Sequence, residues 1–244
     1  MRRRAAYTGT VKYLAFVAVL GSLATSATAV QNNGHASELN GILNQMRAHD
    51  DWQSRHLVEY QMRRRFYAVN PRFKQESMLE VKTQFHQPGT FESEILRSEG
   101  SELIRERVFN KILEAEKDAG TEKGSQESDI SPVNYDFTFI QKQDCDGRPC
   151  YNLRIIPKRK DKYSLEGQIW VDAEDGAIVR MIGSPAKRPS LWTFGTQLER
   201  RYKRLDGVWL CNAMESTSDI LVAGRSVLRV DYTYLDIQTK NAAN

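Results

Sequence analysis

The densest cluster of groups that could do chemistry is Asp172-Ala173-Glu174-Asp175-Gly176, three carboxylates and a glycine in five positions. A calcium loop needs oxygen ligands at its first, third and fifth positions, glycine at the sixth and glutamate at the twelfth. Here the fifth position is Gly176 and the twelfth is Gly183, so the acids read as a β-turn. His35, His49, His56 and His86 are scattered, with no H-x-x-x-H pair and no cysteine–histidine spacing that suits zinc. No serine sits in a G-x-S-x-G elbow, and acid pairs at this charge density prove nothing. The expectation is a chain without catalytic residues, metal or cofactor.

Two other polar signals call for a reading. Cys145-Asp-Gly-Arg-Pro-Cys150 places two of the three cysteines on either side of a turn, which favours a hairpin-tip disulfide over a redox pair, since the latter wants C-x-x-C. Cys211 is left over beside Trp209. The basic runs Lys158-Arg159-Lys160-Asp161-Lys162 and Arg200-Arg201-Tyr202-Lys203-Arg204 could dock phospholipid head groups or an acidic partner. The plainer reading is solvated strand ends.

Charge and the N-terminus bound the partners. The chain carries 35 Lys+Arg against 31 Asp+Glu. Arg2, Arg3, Arg4 and Lys12 lie in Met1–Ala29, where an apolar run from about Val11 to Leu23 ends in Ala27-Thr28-Ala29, a small-x-small cleavage signal. Without that segment the charges balance, so nothing points to nucleic acid. The apolar run is shorter than the ~20 residues that span a bilayer, and no cysteine follows it for acylation. The expectation is a cleaved signal peptide over 1–29, a mobile leader over 30–36 and a single exported domain over 37–240, with no stable membrane anchor.

Periodicity supplies the elements. Leu39, Ile42, Leu43 and Met46 predict a helix from Ser37 to about Asp50-Asp51. Val58, Tyr60, Met62 and Phe66 alternate with charged residues as a first strand. Phe73, Leu79, Val81 and Phe85 form one face of a second, and Phe91 with Ile95 one face of a third. Ser101 caps a second helix, Glu102 to about Ala119, with Leu103, Ile104, Val108, Ile112 and Ala115 as its apolar stripe. Gly120–Ser131 is polar and reads as a flexible loop. Strands resume at Tyr135–Gln143 and Tyr151–Ile156, then Glu166–Asp172, Ala177–Gly183, Trp192–Arg204, Val208–Ser216 and Arg225–Gln238. Asp175-Gly176 and Asp206-Gly207 supply turns that tolerate positive φ.

Gly167–Leu210 carries a resemblance. Ile169-Trp170-Val171-Asp172 with Asp175, Ser184-Pro185-Ala186-Lys187 with Pro189-Ser190, and Arg201-Tyr202 followed by Gly207-Val208-Trp209-Leu210 resemble the periplasmic outer-membrane lipoprotein-sorting proteins of the LolA-like fold. Gly147-Arg148-Pro149-Cys150-Tyr151, Pro157-Lys158-Arg159 and Gly100–Lys111 extend the likeness over most of the mature chain. The resemblance implies an α+β fold, a curved antiparallel sheet forming an incompletely closed β-barrel with helices covering its apolar concave side. It also implies a periplasmic, non-catalytic carrier of lipoprotein acyl chains or a related lipid, with an envelope receptor protein as delivery partner.

On that reading the hollow is lined from the first strands by Tyr60, Met62, Phe66, Leu79, Val81, Phe85, Phe91 and Ile95. The second helix adds Leu103, Ile104 and Val108, and the later strands add Trp170 and Trp209. An alternative within the same fold is a lipid-sensing module of the RseB-like type that binds an envelope-stress regulator. An exported hydrolase would need a cleft with a convergent nucleophile and base.

Overall fold

Alternating apolar and polar residues are the local instruction that builds most of this chain, and they give ten strands among the described residues. The computed structural model describes residues 26–87, 90–119, 121, 126–161, 164–188, 193–222 and 224–240. The expected signal peptide up to Thr25, much of the Gly120–Ser131 loop, the Pro189-Ser190 turn and Trp192 lie outside the described residues.

Helix α1 (Ser26–His56) leads into β1 (Leu57–Asn70), β2 (Gln75–His86) and β3 (Thr90–Gly100). A helical connection follows: α2 (Glu102–Ile104), a π turn over Arg105–Phe109 and α3 (Asn110–Ala119). The remaining strands are β4 (Tyr135–Cys145), β5 (Arg148–Pro157), β6 (Leu165–Asp172), β7 (Ile178–Pro185), β8 (Thr193–Leu205), β9 (Val208–Ile220) and β10 (Gly224–Thr239). They form one antiparallel sheet in the order β3-β2-β1-β10-β9-β8-β7-β6-β5-β4. The sheet is curved and not closed, because β3 and β4 remain its edges, which is the incompletely closed barrel expected from sequence. Among the described residues the pairing of β1 with β10 is the only one that does not join consecutive strands, and it brings the first and last strands together.

Both helical segments lie on the same face of this sheet. Ile42 and Met46 of α1, one turn apart, pack against Leu153, Ile155, Ile169, Val171 and Met181 of β5, β6 and β7. Ile104 and Phe109 of the connection pack against Phe66, Leu79, Val81, Met214 and Val230. Leu198 of β8 touches both clusters. The periodic residues 39–46 mark only the docked part of α1, so the helix runs longer than the predicted Ser37 to Asp50-Asp51. Its last turn is held by the Asp51 carbonyl, which accepts from Ser54 Oγ at 3.1 Å and Arg55 Nε at 2.8 Å.

Two details differ from the sequence reading. Phe73 is not on the face of β2: Asn70 Oδ1 accepts from the Phe73 N–H at 3.1 Å, Pro71 opens a 3₁₀ turn, and Phe73 is exposed. The apolar stripe of the second helix is shifted. The π turn, closed by the Asn110 N–H on the Arg105 carbonyl, puts Ile104 and Phe109, five residues apart, on the sheet, while Leu103 and Ala115 are exposed. The side chains of Cys145 and Cys150, on either side of the β4–β5 turn, adjoin each other within a small cluster that contains Trp170, Val179 and Trp209.

The Asp172–Gly176 turn is stapled from its centre. The fully buried Asp172 carboxylate takes Arg148 Nε at 2.5 Å and Nη2 at 3.0 Å, and accepts the N–H groups of Glu174 and Asp175 at 2.9 and 2.8 Å. Asp175 Oδ2 accepts Trp209 Nε1 at 2.9 Å. The turn sits against α1, where Gln45 Nε2 donates to the Ala173 carbonyl at 2.8 Å. Gly176 has φ +75°, and a Cβ there would stand 2.5 Å from the Gln45 carbonyl oxygen, so only glycine allows the approach.

Gly176→Ala should therefore cost about 2 kcal/mol or more in denaturant unfolding, through strain and clash together. Burial alone would lift the Asp172 carboxyl, but Arg148 and the two N–H groups hold it below the ordinary carboxylate range. Its contribution is therefore present above the unfolded value near ~3.9 and is lost as pH falls through the lower folded value. Thermal melts should show Asp172→Asn costing about 3 kcal/mol at neutral pH, with a shallower loss of stability on acidification below about pH 4 than the parent shows.

Candidate functional site

On β1 the alternation Tyr60, Met62, Arg64, Phe66 puts a guanidinium in an apolar series. Arg64 is 2% exposed, and a buried charge is costly unless paired and hydrogen-bonded. Its Nε and Nη2 reach Thr83 Oγ1 at 3.2 and 2.9 Å, Nη2 reaches Ser93 Oγ at 3.5 Å, and Nη1 pairs with Glu116 of α3. The guanidinium also lies 5.2 Å from the Phe66 ring centre. This set of bonds fastens the helical connection to β1, β2 and β3.

Next to it lies a group of tyrosines. Register opposes Arg64 to Tyr232 and Met62 to Tyr234. Tyr234 donates its hydroxyl to the Cys211 carbonyl at 2.9 Å and meets Tyr60 edge-on at 5.3 Å. Tyr60 stacks on Phe85 at 4.7 Å, and Phe85 contacts Phe91 at 5.1 Å. Tyr202 is opposed to Cys211 across β8 and β9. All four tyrosines are only half-buried. Burial is nevertheless the strongest influence on each hydroxyl, and it raises every one. These side chains keep accessible area among apolar neighbours, with neutral hydroxyls as donors and acceptors at physiological pH.

Arg200 belongs to the same region. It is opposed to Met214 of β9 and to Met181 of β7, and so shares their face of the sheet. Its side chain is exposed by area; burial is the largest single influence and opposes its charge, but Tyr202, Tyr232 and Cys211 together outweigh it and shift the guanidinium upward, with a hydrogen bond to the Tyr202 side chain. Its neighbours behave differently: Arg180 and Arg201 share Glu199 at 3.0 and 2.7 Å, and Arg204 pairs with Asp175 at 3.6 Å. The run read from sequence as a solvated strand end thus divides between both faces of β8. The other run does fit that reading in part, with Lys158 near Asp136 at 3.7 Å and Arg159 near Asp161 at 3.8 Å.

The sequence-derived lining residues fall into separate places. Tyr60, Phe85 and Phe91 meet near Leu57, Val208 and Leu210. Phe66, Leu79, Val81, Ile104 and Val108 meet around Phe109. Met62 is buried beside them, opposed to Thr83 and Tyr234. Ile95 on edge strand β3 and Leu103 on α2 are each 51% exposed. Trp170 and Trp209 lie elsewhere, in the cluster with Cys150 and Val179, where Arg180 stands 4.9 Å from the Trp170 ring centre. Sequence reasoning missed Arg64, Phe109 and Glu116, and gave Arg200 and Tyr202 only as members of a basic run that could dock head groups or an acidic partner. Alternation places Arg64 with Met62 and Phe66, so that signal was available. Nothing local sets Arg200 apart within its basic run.

Two open clefts lie apart from these residues. One is lined by Arg154, Lys160, Glu166 and Pro185, the other by Gln45, His49, Trp52 and Arg204. Among the described residues no helix is long and apolar enough to cross a membrane, and no three of His, Cys, Asp and Glu gather as a metal site.

No protein-family model and no curated protein matches the chain. Among solved structures it is similar to a LolA superfamily protein from Nitrosomonas europaea, with 10% identity over 84% of this chain and 94% of that one and a TM-score of 0.43. It is similar also to a domain described as an outer membrane lipoprotein-sorting protein from Vibrio parahaemolyticus, with 15% identity, 84% and 93% coverage and a TM-score of 0.42. A DUF1329 family protein from Desulfovibrio piger shows 14% identity, 84% and 94% coverage and a TM-score of 0.41.

Proposed function

We propose that this chain is an exported, non-catalytic carrier that takes the acyl chains of a lipoprotein or related lipid between the concave face of its sheet and the helical segments that cover it. The observation that supports this reading is the combination of accessible area and desolvated chemistry at Tyr60, Tyr202, Tyr232 and Tyr234. A filled core would leave such side chains no accessible area, and an outer surface would leave their hydroxyls near ordinary values. The driving force is burial of methylenes. Sixteen of them contribute about 13 kcal/mol gross, and association costs of about 5 kcal/mol leave roughly micromolar affinity. The helical connection is the part that moves for loading and release.

Native mass spectrometry on protein purified from a bacterial periplasm, with lipid extraction in parallel, should show a stoichiometric adduct of lipid mass. A clean apo mass, unchanged after incubation with lipid or acylated peptide, would sink the carrier reading and favour the protein-binding module. Export also puts the adjoining Cys145 and Cys150 in a compartment where they form a hairpin-tip bridge. Alkylation of the denatured, unreduced protein should then modify Cys211 alone. Modification of all three cysteines would remove the bridge.

A further inference from the structure

We infer that Arg200 is the seat for the anionic end of the bound chain, so that the preferred ligand is a single-chain amphiphile ending in a carboxylate, of the fatty-acid type. This rests on the carrier reading above. Ladder partners place Phe66, Val230, Met214, Arg200, Met181 and Ile169 in one row across β1, β10, β9, β8, β7 and β6. Directly opposed residues share a face of the sheet, so one guanidinium stands in an otherwise apolar row. The five apolar members are buried in the two clusters covered by α1 and by the helical connection. Arg200 keeps accessible area. It occupies β8, the strand whose Leu198 touches both clusters, so it lies at the seam between the two helical covers.

The row beside it shows what the fold does when it supplies its own anion: Arg64 is sealed by Glu116, Thr83 and Ser93. Among the described residues no carboxylate lies within ion-pair distance of Arg200, whose hydrogen-bonding side chain is the neutral Tyr202. A guanidinium has five N–H donors in a planar fork that matches a carboxylate bidentately, and Tyr202 engages only part of it. Met214 and Met181 on either side are unbranched and adaptable, suited to an alkyl chain leaving the seat. A single guanidinium between two methionines matches one compact charge. A diacyl lipid head group would bring further polar atoms that this row does not meet.

The test compares oleic acid, oleyl alcohol and oleyl phosphate on the purified, delipidated full chain, by displacement of a fluorescent fatty probe at neutral pH. Oleate should bind at least about tenfold more tightly than the alcohol, the range of a charge-assisted hydrogen bond. Arg200→Met should erase that difference while still binding the alcohol, and its ligand-free melting temperature should not fall below the parent's, because no carboxylate partner is left unpaired. A structural arginine would instead give a lower melting temperature and an unchanged preference, which overturns the assignment. Equal affinity of the parent for oleate and alcohol overturns the seat but leaves the hollow, and needs no variant to fold. Oleyl phosphate binding tenfold better than oleate overturns the carboxylate class. Failure of all three ligands to displace the probe, or of the probe to bind, removes the carrier reading and the seat with it.

Discussion

The antiparallel pairing of Leu57–Asn70 with Gly224–Thr239 is the constraint on which the rest of this structure depends. Every other strand pairing joins sequence neighbours, and short connections favour those. Only β1 on β10 carries the sheet past the chain's own ends, joining the β1–β3 unit, with the helical connection behind it, to the β4–β10 meander. It is also what aligns Phe66 with Val230 and Arg64 with Tyr232. A slip of one residue would turn each of these inward side chains to solvent. Burial of Phe66 against Phe109 then holds the register from above.

Three arginines show three ways in which the fold places a guanidinium against its sheet. Arg148 is matched to a fully buried carboxylate that also organises a five-residue turn, so its pairing serves both the turn and the docking of α1. Arg64 is sealed inside by an ion pair and two hydroxyls, tying α3 to the sheet. Arg200 has a phenol and accessible area in place of a carboxylate. Buried ion pairs contribute little net stability, yet breaking one is expensive, so such pairs act mainly to specify which elements meet. Arg64 and Arg148 fit that role, each joining segments far apart in sequence.

The two helical covers differ in how they are held. Helix α1 buries Ile42 and Met46 and adds amide bridges, Gln45 to the Asp172–Gly176 turn and Gln53 to both backbone groups of Trp209, at 3.1 and 2.8 Å. The connection between β3 and β4 has Phe109, Ile104 and the Glu116 ion pair, and it contains the π turn, a helical irregularity that often accompanies a functional demand. It follows an edge strand whose residues are mostly exposed. Fewer anchoring bonds over an exposed edge are what low local stability looks like in structural terms. On the carrier reading proposed above, the motion for loading belongs to this connection more than to α1.

Local chemistry alone determined much of this protein. Alternation in Tyr60–Phe66 and Leu79–Phe85 declared strands with one buried face, and Asp206-Gly207, where both residues take positive φ, declared its hairpin. Leu39–Met46 declared the docked part of α1, because period and turn residues are properties of a few adjacent positions. Other features waited for tertiary structure. Phe73 had the right period for β2, but Asn70 and Pro71 turned it out of the sheet. The π turn exchanged Phe109 for Leu103 on the buried side, an outcome set by the surface beneath it. Arg200 sits in a basic run whose composition says only that it is charged. Its position between Met181 and Met214 comes from two ladders, one reaching back to β7 and one forward to β9. Period tells which residues of a strand share a face. Only the register of neighbouring strands, a nonlocal quantity, decides what each of them meets there.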